Sequence, residues 1–186
     1  MRAALRHVGV ARRRGLCGIP VSEHLMIAAP TGLRVVDLHR PEALNALNAS
    51  MVSTLLPLVR DWQTQGSDLK MVVFRGSPRA FCAGGDIRFL ADCAAGGSVD
   101  TRAPALEFFR EEYALNHAIG TSRTPIVSLL EGIVMGGGVG LSVHGHIRVA
   151  TESTMFASAH EHDSPWGGPL ACIPAPQALA THPCAR

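Results

Sequence analysis

Short apolar runs alternate with helically spaced segments through the middle of this chain. Two of the runs, at 24–28 and 33–38, are separated by Pro30-Thr31-Gly32. Apolar runs joined by a short segment with proline and glycine predict a β-hairpin. The next apolar run, at 70–74, is compact and ends at Arg75-Gly76-Ser77, which predicts a further strand.

Helical spacing appears in two segments of the chain. One extends from about Ser50 to Gln63, with Asn48 or Ser50 as its N-cap and Gly66 as its end. The other extends from Leu106 to Ile119, after a small-residue stretch at 92–104 that predicts a mobile surface loop. Strands alternating with helices predict a βαβ-type α/β layout.

The segment Pro125–Gly140 is the most informative part of the pattern. A β-branched apolar run predicts a buried strand that leads into Gly136-Gly137-Gly138, and the apolar stretch Val139–Val143 predicts the start of a helix. A strand at 146–150 follows. Glycines at such a turn leave backbone N–H groups uncovered, and a helix N-terminus adds positive potential. The turn can therefore hold an anion or a developing negative charge.

Two common anion-binding motifs do not fit this turn. No Lys follows the glycines as a phosphate loop requires, and Leu141 stands where a dinucleotide fingerprint needs its third glycine. A glycine turn that merely lets a helix pack closely on a sheet remains an open interpretation. A second glycine turn, in Ala80–Ile87, also follows a strand-like segment, and Asp86 is placed to cap the helix after it.

Composition and charge exclude several classes of protein. The 186 residues are 47% hydrophobic and 17% charged, as in a globular domain, and a net charge of +2 gives no indication of nucleic-acid binding. No stretch is long enough to predict a membrane span. Residues 1–22 contain five arginines and no acid, as in a mitochondrial transit peptide. The five cysteines form no CxxC pair, which favours reduced thiols.

The two glycine turns, about fifty residues apart, resemble those of the crotonase (enoyl-CoA hydratase/isomerase) superfamily. The likeness covers about residues 26–157 and lies in Leu38-His39-Arg40-Pro41 with Asn45-Ala46-Leu47, in Ala80–Ile87 and in Glu131–Gly140. It implies an α/β fold with a crotonase-like (ββα)n spiral core, incomplete at the C-terminus. Three regions follow: a basic transit-like arm at 1–22, a partial crotonase-like domain at 23–157 and a divergent tail at 158–186.

Within the superfamily the chain is most similar to the 3-hydroxyisobutyryl-CoA hydrolases of valine breakdown. Hydratases usually carry a catalytic Glu where this chain has Gly140. The resemblance implies that the backbone N–H groups of Ala83 and Gly137 stabilise the negative charge on the thioester oxygen when water attacks. It assigns substrate binding to Glu112, Gly136 and Gly84, with a solvated helix face as the alternative interpretation of Glu112.

The resemblance also implies which partners to expect. The substrate is an acyl-CoA, CoA enters only as part of it, and no cofactor or metal is expected. His160-Glu161-His162-Asp163 lacks the H-E-x-x-H spacing of a zinc site. Neither nucleic acid nor membrane is an expected partner, a homo-oligomer is compatible with the family, and the basic arm implies the mitochondrial matrix.

The match is lost after Ala157. His160 stands where the hydrolases have a catalytic Glu, and the position of their catalytic Asp falls near Gly168. The divergent end is typical of an out-of-frame or alternatively spliced terminus. Three hypotheses therefore stay open: an acyl-CoA thioester hydrolase, a truncated and catalytically weak or inactive acyl-CoA-binding homologue, and an enoyl-CoA hydratase or isomerase.

Overall fold

The computed structural model describes residues 19–64, 68–77, 79–157 and 172–174. Ten strands occur in this part of the chain: β1 (Ile19–Ser22), β2 (Leu25–Ala28), β3 (Leu33–Leu38), β4 (Met71–Arg75), β5 (Ala80–Cys82), β6 (Ile126–Leu130), β7 (Ile133–Met135), β8 (Ile147–Ala150), β9 (Met155–Ala157) and β10 (Cys172–Pro174). The helices are a 3-10 turn at Pro41–Ala43 and α1 (Ala49–Trp62), α2 (Ile87–Ala95), α3 (Val99–Gly120) and α4 (Gly137–Val143).

The strands form two sheets. The six-stranded main sheet has the order β1-β2-β3-β4-β6-β8, antiparallel from β1 to β3 and parallel from β3 onward. The four-stranded second sheet has the order β10-β9-β7-β5, and its β5, β7 and β9 are parallel. Chain segments therefore pass repeatedly from a strand of one sheet to a strand of the other and then to a helix.

Local sequence signals account for several element boundaries. The predicted hairpin is the antiparallel pair β2–β3, and Gly32 adopts a φ of 72° in its turn. Asn48 is the N-cap of α1, where its side chain accepts a hydrogen bond from the Met51 N–H at 2.9 Å. The predicted end of this helix at Gly66 lies outside the described residues.

The prediction of a mobile loop at 92–104 is wrong. Helix α2 extends to Ala95, and α3 begins at Val99, so only a short connection separates them. Ser98 caps α3 by accepting a hydrogen bond from the Thr101 N–H at 3.2 Å. The helix continues through Pro104, a residue that normally argues against a helix interior.

The single strand predicted before the glycine cluster is in fact two strands. The run breaks after Leu130, where Gly132 has a φ of 68° and turns the chain from β6 in the main sheet to β7 in the second sheet. Helix α4 begins at Gly137, two residues before the predicted start at Val139. The glycines are thus part of the helix as well as of the turn.

Both predicted region boundaries need correction. The main sheet begins at Ile19, inside the residues assigned to the basic arm, because β1 pairs with β2. Within the tail, Cys172–Pro174 forms β10 and pairs with β9. The remainder of both terminal regions lies outside the described residues.

One large hydrophobic core joins the main sheet to α1 and α3. Its fully buried large side chains are Phe74, Phe81, Phe108, Leu25, Leu47, Met51, Leu55, Leu115, Ile119, Ile126, Leu130 and Leu141. The core extends to both glycine turns, since it includes Leu47, which is hydrogen-bonded to the first turn, and Leu141, which follows the second. Packed apolar side chains therefore support both turns. In the described part of the chain, no helix has the length and apolar character needed to cross a membrane.

Candidate active site

The first corner, residues 82–86, follows β5 and is fixed by backbone hydrogen bonds to the loop at 44–47. The Leu47 N–H donates to the Gly84 carbonyl at 2.7 Å, and the Asp86 N–H donates to the Leu47 carbonyl at 2.8 Å. Gly84 is buried and has a φ of 112°, a conformation open mainly to glycine. Gly84 therefore shapes the turn, and its substrate-binding role stays a prediction.

The second corner, residues 135–138, follows β7 and leads into α4. Gly136 is exposed and has a φ of 48° with a ψ of −116°. Gly138 is buried against the first corner, since a Cβ atom at this position would lie 2.8 Å from the Cys82 Cβ and nearer still to the Cys82 carbonyl oxygen. Only a glycine allows so close an approach.

Strand register brings the two corners together. β5 and β7 are parallel neighbours with Cys82 paired to Val134, so both strands deliver their carboxyl ends to the same edge of the second sheet. At that edge a Cβ on Gly136 would lie 3.3 Å from the Gly84 Cα. The two glycine turns therefore lie in contact, while the roles that the resemblance implies for Ala83 and Gly137 stay predictions.

The two predicted N–H donors are in different states. Among the residues that the structure describes, none accepts a hydrogen bond from the Gly137 N–H, and this residue is half-buried. The Ala83 N–H donates to the Leu44 carbonyl at 3.0 Å. Within the described ranges the Gly137 N–H is thus an available donor, whereas the Ala83 N–H is engaged by the Leu44 carbonyl.

Glu112 lies beside the available donor and is not a solvated surface residue. It is 6% exposed, and a Cβ on Gly137 would lie 2.5 Å from its Oε1. Within the described ranges it has no hydrogen-bond or ion-pair partner. Burial raises the pKa of Glu112 above the usual range of a glutamate. A carboxyl group with a raised pKa in a largely buried residue, without a partner among the described residues, is a typical feature of functional sites.

Asn116 follows Glu112 by one helical turn and faces the same helix, α4. A Cβ on Gly140 would lie 2.5 Å from the Asn116 Nδ2 and 3.0 Å from its Oδ1. The Oδ1 atom is buried and has no hydrogen-bond partner in the described part of the structure. No role for Asn116 follows from the family resemblance, although its i, i+4 spacing from Glu112 is the signal that places both side chains on one face.

A buried polar network holds the first corner in place. The Arg40 Nη2 pairs with the Asp86 Oδ2 at 2.7 Å, and both side chains are largely buried. Asn45, which is fully buried, accepts from the Arg40 N–H at 2.8 Å and donates to the Ala80 carbonyl at 2.8 Å. Asn45 and Leu44 both adopt positive φ, at 58° and 51°. In the sequence, Arg40 and Asn45 stand out only as part of the family motif, and no function follows for them from it.

Asp86 has the structural role that the sequence predicts. Its side chain accepts a hydrogen bond from the Phe89 N–H at 3.3 Å and so caps α2. Burial alone would raise the pKa of Asp86, but hydrogen bonds from Arg40 and from the Phe89 N–H outweigh burial and lower it. The carboxylate therefore stays ionised and paired, which does not suit an acid or base.

Three further kinds of group could supply chemistry: the Cys82 thiol, the histidines and clusters of metal ligands. Cys82 is fully buried, and burial raises the pKa of its thiol to about 12, so it remains protonated. His146 is exposed and accepts a hydrogen bond from the Ile126 N–H at 3.2 Å. No group of three metal-ligating side chains comes together within the described residues. His160 and Gly168, the departures from the family pattern, lie outside them.

Comparison with protein families matches residues 33–161 to the enoyl-CoA hydratase/isomerase family. Among curated relatives, the mitochondrial 3-hydroxyisobutyryl-CoA hydrolase of Gallus gallus is 48% identical over 127 residues, which are 68% of this chain and 32% of the relative. The human protein of the same name is 46% identical over 123 residues, 66% of this chain and 31% of the relative. This chain thus spans about one third of the length of the curated relatives it matches.

Solved structures of proteins named as enoyl-CoA and carnitinyl-CoA enzymes share the fold of this chain. An enoyl-CoA hydratase from Rhodobacter sphaeroides 2.4.1 is similar with a TM-score of 0.66 and 36% identity, over 73% of this chain and 40% of that one. A carnitinyl-CoA dehydratase from Mycobacterium thermoresistibile has a TM-score of 0.66 and 37% identity, over 74% of this chain and 39% of that one.

Proposed function

Because the chain belongs to the enoyl-CoA hydratase/isomerase family, we propose that it acts on acyl-CoA thioesters as a hydrolase. The observation that carries this proposal is the Gly137 N–H, which has no acceptor among the described residues, beside the carboxyl group of the largely buried Glu112. A donor and a carboxylate at one edge of a sheet match the two needs of thioester hydrolysis. One is to stabilise negative charge on oxygen, and the other is to handle the proton of the attacking water.

The oxyanion hole would consist of the Gly137 and Ala83 N–H groups. Water attacks the thioester carbonyl carbon, the carbonyl oxygen becomes negative, and the C–S bond then breaks to release CoA. Loss of one such donor costs roughly 3 kcal/mol of transition-state stabilisation. Ala83 contributes only if the thioester oxygen takes over or shares the hydrogen bond that Leu44 now accepts.

The proposed substrate is 3-hydroxyisobutyryl-CoA, the compound in the names of the relatives. Their mitochondrial designation and the basic segment at 1–22 support a mitochondrial location, for which we propose the matrix. A hydratase is the weaker alternative, because Gly140 carries no side chain and Asn116 fills the space beside it.

A second candidate function is acyl-CoA binding without efficient turnover. It is favoured by the Ala83–Leu44 hydrogen bond, which leaves one predicted oxyanion donor engaged. It is also favoured by His160, which stands at the position of the relatives' catalytic Glu. Binding and turnover therefore have to be measured separately.

The test is release of CoA thiol from 3-hydroxyisobutyryl-CoA by the purified full chain, together with Glu112→Gln. The matched control is Glu107→Gln, the same chemical change at an exposed position of α3. A hydrolase requires turnover above the uncatalysed rate that Glu112→Gln lowers by about 10²-fold or more and that the control leaves unchanged. Binding of a nonhydrolysable acyl-CoA analogue without any CoA release would instead establish the second candidate.

A further inference from the structure

We propose that Asn116 is the residue that positions the attacking water, by holding it between its own Oδ1 and the carboxylate of Glu112. The proposal rests on the hydrolase function above and adds to it a group that accepts a hydrogen bond from the nucleophile. Its basis is geometric: two polar side chains, one helical turn apart on α3, face the two glycines at 137 and 140 of α4.

The Asn116 side chain has a hydrogen-bond acceptor that no described residue satisfies. Its Oδ1 is buried, and the described residues offer it no hydrogen-bond donor. A buried amide oxygen without a donor destabilises the folded state, because it has lost its hydrogen bonds to water. In folded proteins such groups generally bind an ordered water, which itself needs two or more polar partners.

A water bound to the Asn116 Oδ1 needs a second acceptor, and the spacing along α3 identifies it. Side chains four residues apart on a helix have Cβ atoms about 5–6 Å apart, and a water with hydrogen bonds of about 2.8 Å can connect two acceptors at this spacing. Glu112 is that neighbour, and its carboxyl group is itself unpaired within the described ranges. One water can donate one proton to each acceptor, which leaves a lone pair free to attack.

The second acceptor, Glu112, is next to the proposed oxyanion donor, the Gly137 N–H. The Glu112 Oε1 lies against Gly137, whose N–H has no acceptor among the residues described and can bind the thioester oxygen. The water oxygen attacks the carbonyl carbon while the Glu112 carboxylate takes one of its protons. The C–S bond then breaks, its electron pair leaves with the CoA sulfur, and Glu112 returns the proton to form the CoA thiol. Burial raises the pKa of Glu112, which makes its carboxylate a stronger base than an exposed glutamate.

The arrangement also explains why position 140 is a glycine in this chain. A Cβ there would lie 2.5 Å from the Asn116 Nδ2, so a side chain at 140 would require the carboxamide to leave its position. The polar group that serves the nucleophile therefore comes from α3 rather than from α4.

The experiment uses the full chain and three proteins: wild type, Asn116→Leu and Asn116→Asp. Leu is nearly isosteric with Asn and lacks the acceptor, whereas Asp retains an acceptor oxygen. For Asn116→Leu we expect kcat to fall by roughly 10²-fold with KM within about twofold of wild type. We expect Asn116→Asp to recover at least about tenfold of that loss. Hydroxylamine, which attacks through its own nitrogen to give a hydroxamate and free CoA thiol, should be less affected by Asn116→Leu than water is.

A crystal structure with an unreactive ketone analogue of the thioester gives a readout independent of turnover. Wild type should show an ordered water about 3 Å from both the Asn116 Oδ1 and a Glu112 oxygen, and Asn116→Leu should lack it. Absence of this water in wild type overturns the proposal, as does an Asn116→Leu protein with wild-type kcat. If the water is present but wild type releases no CoA, the hydrolase function fails and the water site stands.

Discussion

Replacement of Gly138 by alanine tests how the two corners are held together. The new Cβ would lie 2.8 Å from the Cys82 Cβ, and nearer still to the Cys82 carbonyl oxygen. Carbon atoms in favourable contact are about 3.5–4.0 Å apart, so the shortfall is at least about 0.7 Å. Neither group can rotate away, because Cys82 belongs to β5 and β5 is paired with β7.

The strain can be relieved only if the corners move apart. Overpacking of this kind costs typically about 1–3 kcal/mol, and the rigid backbone places Gly138→Ala toward the upper end. For a chain of this length, each kcal/mol corresponds to roughly 2–4 °C in melting temperature. The same movement separates the Gly137 N–H from the first corner, so affinity for a ketone analogue of the thioester should fall as well.

Urea unfolding followed by circular dichroism, with calorimetric titration of the analogue, measures both effects. Gly120→Ala is the matched control, because its Cβ would meet only His144 atoms at 3.6 Å and beyond. Alanine in place of a helical glycine is neutral or stabilises by up to about 1 kcal/mol. If Gly138→Ala and Gly120→Ala are equally stable and bind the analogue equally well, close packing of the corners is not what shapes the site.

Three further predictions concern other groups of the site. Glu112→Gln should raise stability at pH 7 by about 1 kcal/mol. The folded chain binds the Glu112 proton more tightly than the unfolded chain does, because burial raises the pKa of this carboxyl group. Wild-type stability therefore falls as pH rises from the unfolded pKa to the raised folded pKa. Urea titrations at several pH values should show this fall in the control Glu107→Gln but not in Glu112→Gln. Gly140→Glu should destabilise by about 1–3 kcal/mol through its clash with Asn116, and a double-mutant cycle with Asn116→Ala should show coupling, with strict additivity as the contrary result. Cys82, with a thiol pKa of about 12, should be alkylated at pH 8 only as fast as the chain unfolds; mass-spectrometric mapping that finds faster labelling would contradict its burial.

Local sequence signals were sufficient where one residue type determines the backbone. The Asn48 cap, the hairpin turn at Gly32 and the two glycine corners all follow from such residues. The similarity to the enoyl-CoA hydratase/isomerase family, also predicted from these corners, is confirmed by the family match over residues 33–161. The α/β fold agrees with that of the solved relatives.

Features that depend on contacts distant in sequence could not be predicted. The break between β6 and β7 assigns neighbouring residues to different sheets, and a continuous apolar run does not reveal it. The Leu44 carbonyl meets the Ala83 N–H across 39 positions of sequence. Glu112 looks like a surface residue by charge, and its burial arises from the packing of α3 against α4.

The most direct test of the oxyanion hole is an NMR titration of the ¹⁵N-labelled chain with two ligands. One is the ketone analogue of the acyl-CoA, and the other is the alkyl thioether that lacks the carbonyl oxygen. A hydrogen bond to that oxygen should move the Gly137 amide proton downfield with the ketone alone, and the Ala83 amide should change as it leaves Leu44. Identical amide shifts with both ligands would contradict the account.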